Sequence, residues 1–128
     1  MSQHSRPTPP QQRKRAYRLG MRAETVAAWY LRLRGYSILE TRYRTKSGEI
    51  DIIARRGQLL AFVEVKARKT VDQAILAVTP RNRQRISAAA KTYLSLNPRL
   101  GACDIRYDIF CQAGMRVTHL QDAWRDKF

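Results

Sequence analysis

The chain has 128 residues, 44% of them hydrophobic, enough for one domain with a real core and too few for several, which excludes a disordered polymer. Its formal net charge of +15 and isoelectric point near 10.9 point to polyanions, nucleic acid first, with ribosomal or membrane-surface association as the bland competitors. Two cysteines with the widely scattered His4 and His119 lack the spacing of a zinc quartet, no segment has the length of a membrane helix, and the N-terminus lacks an apolar signal core.

Residues 1–17 are rich in Pro, Gln and Arg and carry no acid, the composition of a disordered basic arm, either gripping a phosphate backbone or simply solvated, with a transit peptide as a weaker alternative. The α/β domain is then expected over 18–128. Ala23, Val26, Ala27, Tyr30 and Leu31 recur at helical spacing, so Leu19 to Arg34 reads as an amphipathic helix closed by Gly35. Glu24 lies on the packed stripe, aimed at the sheet or else flanking it and paired with an Arg. Tyr36 to Arg44 reads as a first strand. Arg42, Arg44 and Lys46 are candidate phosphate contacts, although cations also protect an edge strand from its neighbours.

Ile50 to Ala54 and Leu59 to Ala67 are short runs rich in Ile, Val, Leu and Phe, parted by Arg55, Arg56, Gly57 and Gln58: a hairpin. Side chains alternate along a strand, so an even turn puts Asp51 on the face of Glu64 and Lys66, whereas a one-residue bulge separates them. Isolated buried charges are costly, and two convergent carboxylates call for a cation. Hard oxygen ligands without His or Cys favour Mg²⁺ or Mn²⁺ over zinc. An exposed Glu64–Lys66 pair beside an edge Asp51 fits the same spacing.

Arg68 and Lys69 extend the basic edge, and Thr70 to Val78 reads as a loop. Thr79 and Pro80 start a helix with the apolar stripe Ile86, Ala89, Ala90, Tyr93 and Leu94, stopped by Asn97 and Pro98; Arg81, Arg83, Arg85 and Lys91 lie off that stripe, lining a nucleic-acid groove or merely solvated. Asp104 to Cys111 alternates as a half-buried strand, with Asp108 a structural partner for Arg106 or a neighbouring strand. Cys103 and Cys111, about 26 Å apart along such a strand, cannot bridge and read as reduced thiols of a cytoplasmic protein. Arg116 to Leu120 is a further strand, and Asp122 to Phe128 a short terminal helix or tail. The order α-β-β-β-α-β-β predicts an α/β domain with a mixed sheet flanked by helices.

An acid on one strand followed by E-x-K on the next resembles the PD-(D/E)XK nuclease superfamily. Glu24, GEID at Gly48 to Asp51, FVEVK at Phe62 to Lys66, the basic helix Arg81 to Leu96, the R-Y-D of Arg106 to Asp108 and HLQDAW resemble more closely the YraN family of proposed endonucleases, similar in turn to archaeal Holliday junction resolvases. The resemblance covers residues 19–125. It implies a restriction-endonuclease-like three-layer fold, Asp51 and Glu64 as metal ligands, Lys66 orienting the attacking water or steadying the phosphate, and Glu24 as an auxiliary acid. Arg42 stands where the family commonly has Asn, and the later helix carries Arg where relatives tend to have Lys, which bears on substrate more than on chemistry.

The expectation is a metal-dependent endonuclease acting on DNA, branched or junction DNA included, in which Asp51 and Glu64 with the Val65 carbonyl would hold one or two Mg²⁺ or Mn²⁺ ions, and with a homodimer needed for symmetric junction cutting. The alternatives are a non-catalytic nucleic-acid-binding module on a nuclease-like fold and a basic RNA-binding accessory protein.

Overall fold

The computed structural model describes residues 8–126, residues 14–21 by their backbone alone. Helix α1 spans Pro9–Leu33, β1 Ser37–Arg44, β2 Glu49–Arg56, β3 Leu59–Ala67, α2 Val71–Ala77, α3 Pro80–Leu96, β4 Asp104–Ala113 and β5 Arg116–Trp124, with a 3-10 turn at Pro98–Leu100.

Helix α1 starts ten residues earlier than its apolar stripe suggests. Thr8 and Gln11 form a reciprocal capping box, Pro9 and Pro10 occupy the first turn, and the run of Gln, Arg, Lys and Ala that follows favours helix. The expected arm is thus helical from Pro9, and residues 1–7 lie outside the described residues. At its other end the Tyr36 amide bonds the Leu31 carbonyl at 3.0 Å and the Gly35 amide bonds Arg32 at 3.1 Å, with Gly35 at φ 89°. This is a Schellman closure, which needs a residue that tolerates left-handed backbone.

The sheet order is β1-β2-β3-β4-β5, with β3 and β4 parallel and every other neighbouring pair antiparallel. The hairpin turn is tighter than the four residues expected, since Arg56 pairs Leu59 around Gly57 and Gln58 alone. Helix α1 covers the face carrying Ile52, Ala54, Ala61, Val63, Val65 and Phe110. Helices α2 and α3 cover the other, carrying Ile53, Leu60, Phe62, Tyr107 and Ile109. The result is the expected α/β domain with a mixed sheet flanked by helices on both faces. Ile52, Ile53 and Phe62 are fully buried, each contributing about 1.5–3 kcal/mol of transfer free energy.

Two segments differ from expectation. Thr70 to Val78 is no loop, because the Thr70 hydroxyl accepts the Gln73 amide hydrogen and caps a seven-residue helix that buries Ala74. In the segment expected as a short terminal helix or tail, β5 instead continues through Trp124, whose ring stacks on Tyr107 at 5.2 Å between centroids, and residues 127–128 lie outside the described residues. Among the described residues no helix is long and apolar enough to cross a membrane. Cys103 and Cys111 are free and buried.

Candidate metal centre

The centre forms where β2 leaves β3. The ladder runs from Arg56↔Leu59 to Ile52↔Val63 and stops, so the next level sets Asp51 against Glu64. Beyond it the pleat slips: Ile50 packs in the same cluster as Ile53, three residues away, while Ile52 packs under α1. The Asp51 Oδ2 accepts the Val65 amide hydrogen at 2.8 Å, filling the place of the missing ladder bond. On the neighbouring strand Arg42, between the pairs Thr41↔Ile52 and Tyr43↔Ile50, has φ 51°, a strained value for a side chain of its size.

Asp51, Glu64 and Lys66 therefore meet, as even parity requires. The Lys66 Nζ lies 3.6 Å from Glu64 Oε1, and their side chains are only 18% and 13% exposed. Burial, reinforced by the charge of Asp51 and a hydrogen-bond contact with it, pushes the Glu64 carboxyl up to about 9 against the pull of Lys66. At neutral pH Glu64 therefore keeps its proton beside Asp51. A divalent cation can take the place of that proton, because both groups are hard oxygen donors already held side by side. The donor set fits Mg²⁺ or Mn²⁺ with water filling the other positions. Among the described residues no three His, Cys, Asp or Glu side chains converge on one point, so this pair is the whole acidic set of the centre.

Glu24 turns elsewhere. Its Oε2 accepts from the Arg42 Nε at 2.9 Å, and the two side chains are 23% and 31% exposed. The reason is layering: α1 lies over Val63 and Val65, with which Glu64 and Lys66 alternate. Arg42, expected at a phosphate, thus bridges the strand kink to α1.

The other expected cations scatter over the surface. Arg44 lies 3.5 Å from Glu49 with its side chain 72% exposed, and Lys46, Arg68 and Lys69 are exposed. On α3 the arginines fall in two rows: Arg81 and Arg85 face solvent, whereas the Arg83 Nε bonds the Val78 carbonyl at 3.1 Å. Gly48, the first residue of the GEID run, sits against α3 so closely that a Cβ there would fall 2.1 Å from the Arg85 carbonyl oxygen. That contact ties the hairpin to the basic helix.

The expected structural role of Asp108, partner to Arg106 and to the neighbouring strand, holds, within a larger buried polar knot beneath α1. Asp108, fully buried, accepts two bonds from Arg106 at 2.7 and 2.8 Å, contacts the His119 Nε2 at 2.7 Å and accepts the Asp122 amide hydrogen at 3.0 Å. The last bond pins a bulge between the pairs Tyr107↔Trp124 and Ile109↔Leu120, where Asp122 has φ 54°. The spacing of Arg106 and Asp108 on one strand face foretold their pairing; the part played by His119 carried no signal in the sequence.

The family model described as "Uncharacterised protein family UPF0102" matches residues 23–111 of the chain. The UPF0102 protein amb4503 of Paramagnetospirillum magneticum is 48% identical over 115 residues, 86% of this chain and 89% of the relative. A UPF0102 protein of Rhodopseudomonas palustris is 49% identical over 117 residues, 91% of each chain. The UPF0102 protein bll0669 of Bradyrhizobium diazoefficiens is 53% identical over 97 residues, 76% of this chain and 73% of the relative.

Proposed function

The chain belongs to uncharacterised protein family UPF0102, and from that premise we propose that it is a divalent-metal-dependent endonuclease of the PD-(D/E)XK type, acting on DNA in the cytoplasm, with branched or junction substrates included. The observation that carries this reading is the Asp51–Glu64 pair beside Lys66, a nearly buried acidic centre in a chain of net charge +15. Carboxylates repel a phosphodiester unless a cation lies between them, so a polyanion-binding protein that only coated its partner would gain nothing from such a pair.

Asp51 and Glu64 would hold the ion or ions, with the Val65 carbonyl as a further donor. The chemistry supplied by one or two bound Mg²⁺ or Mn²⁺ ions is polarisation of the scissile phosphate and a lowered pKa for a coordinated water. Asp51 is oriented for this by the Val65 amide. Glu64 gives up its proton on loading. Lys66, anchored beside Glu64, offsets the charge that grows on the phosphate oxygens or orients the attacking water. The exposed cations Arg44, Lys46, Arg68, Lys69, Arg81 and Arg85 would hold the backbone without reading bases, so affinity falls steeply with salt.

The pairing of Glu24 with Arg42 favours the second reading, a non-catalytic nucleic-acid-binding module, because it leaves the centre two acids rather than three. Incubation of branched, flapped and duplex DNA with Mg²⁺ or Mn²⁺ separates the two. Cleavage that disappears in Asp51→Asn and Lys66→Ala supports the enzyme; binding without cleavage of any substrate leaves the module.

A further inference from the structure

A recess of about 500 Å³ opens between α3 and the end of β5, away from the acidic pair. Arg83, Ser87 and Lys91, spaced by four along α3, form one wall, and Trp124, Arg125 and Asp126 form the other. Resting on the reading that the chain acts on nucleic acid, we propose that this recess receives a single unpaired nucleotide of a DNA strand, its phosphate on the cations and its base against the Arg83 guanidinium.

Four observations converge. The recess has the volume of a small-ligand site, so the part of a polynucleotide that enters it is a nucleotide lifted out of the stack. Three cations stand against the one carboxylate of Asp126, which is already engaged by the Ser87 and Tyr107 hydroxyls, while Arg125 also pairs with Asp122 at 2.8 Å. Arg83 is fixed by the Val78 carbonyl and lies 5.5 Å over the Trp124 ring, which in turn stacks on Tyr107 with an angle of 14° between planes. The guanidinium thus caps a ladder of flat groups, and bases stack on such planes. Finally, the Trp124 Nε1 is a buried donor with no acceptor among the described residues, in a wall of the same recess. A bare phosphate satisfies the cations but leaves the stacking plane and the volume unused.

The test uses full-length protein carrying Trp29→Phe, which leaves Trp124 as the sole tryptophan, in EDTA so that nothing is cut. Trp124 fluorescence is titrated with a short unpaired DNA strand, with the same strand in a blunt duplex, and with inorganic phosphate. The unpaired strand is expected to change the emission at concentrations about tenfold lower than the duplex, and phosphate to leave it unchanged. Equal response to strand and duplex, or a full response to phosphate alone, overturns the proposal. Lys91→Glu with Arg125→Glu is expected to weaken strand binding about tenfold more than Arg99→Glu with Arg116→Glu, which removes the same net charge elsewhere. Equal loss in the two doubles also overturns it. Because these titrations need no metal, their failure is distinct from a failure to cleave.

Discussion

The Asp51 carboxylate occupies, at 2.8 Å from the Val65 amide, the position a backbone carbonyl would hold if β2 had stayed paired with β3. A strand that ends by substituting a side chain for its own backbone leaves that side chain fixed, partly buried and beside whatever the partner strand presents. Here the partner presents Glu64. The acidic centre is thus a consequence of how a hairpin opens, and its behaviour can be tested through either residue.

Asp51→Asn retains an acceptor for the Val65 amide but removes the charge that helps burial hold Glu64 near 9. The sign follows from linkage: the folded state binds this proton more tightly than the unfolded chain, so the stability it lends is full below the ordinary carboxylate range and is lost as pH rises toward 9. Melting curves between pH 5 and pH 9, values chosen to bracket that window, are expected to show the unsubstituted apoprotein weakening with pH and Asp51→Asn weakening less, a relative gain on the order of 1–2 kcal/mol at the alkaline end. Mn²⁺ is expected to raise the melting temperature of the unsubstituted protein alone.

Lys66→Gln removes the one group that pulls the Glu64 carboxyl downward. The pH midpoint for Mn²⁺ binding, followed by calorimetry with proton release, moves upward. Cleavage falls by about 10²–10³ even where the ion is loaded, as for loss of one charge-stabilising group. An unchanged midpoint would remove Lys66 from the centre.

Gly48→Ala sets a methyl 2.1 Å from a helix backbone oxygen that has no rotamer with which to escape. The hairpin or α3 has to shift, and urea denaturation is expected to register a loss of about 1–3 kcal/mol, as for overpacking elsewhere. If Gly48→Ala is neutral, the hairpin is not docked on α3 as described.

Asp108→Ala leaves the Arg106 guanidinium, its side chain 13% exposed, without its bidentate partner and frees the bulge at Asp122. The expected loss is about 3–5 kcal/mol, the usual result of breaking a buried pair from one side. Burial works against ionisation of Asp108, but bonds from His119, Arg106 and the Asp122 amide outweigh it and hold the carboxyl below its ordinary range. Its contribution is therefore present above that range and lost as pH falls through it, so acid unfolding of Asp108→Asn lacks that part of the transition.

The parity of the central hairpin was legible because a strand has a period of two: any even turn places Asp51 with Glu64 and Lys66, and the two-residue turn at Gly57 and Gln58 does so. The stripes of α1 and α3 were legible for the same kind of reason. Helix α2 was not, since seven residues make barely two turns and show no periodicity to count. Nor was the continuation of β5, whose bulge interrupts the alternation.

Sequence alone determined the types of the longer elements, the hairpin parity and the excess of positive charge, the first two set within a few residues of one another. Tertiary structure decided which charges meet: that Glu24 pairs with Arg42, that His119 and Arg106 close on a buried Asp108, and that Arg83 lies on Trp124. These partners lie between 2 and 41 residues apart along the chain, and a side chain's partner at such separations depends on layer, twist and bulge. Local periodicity records none of these.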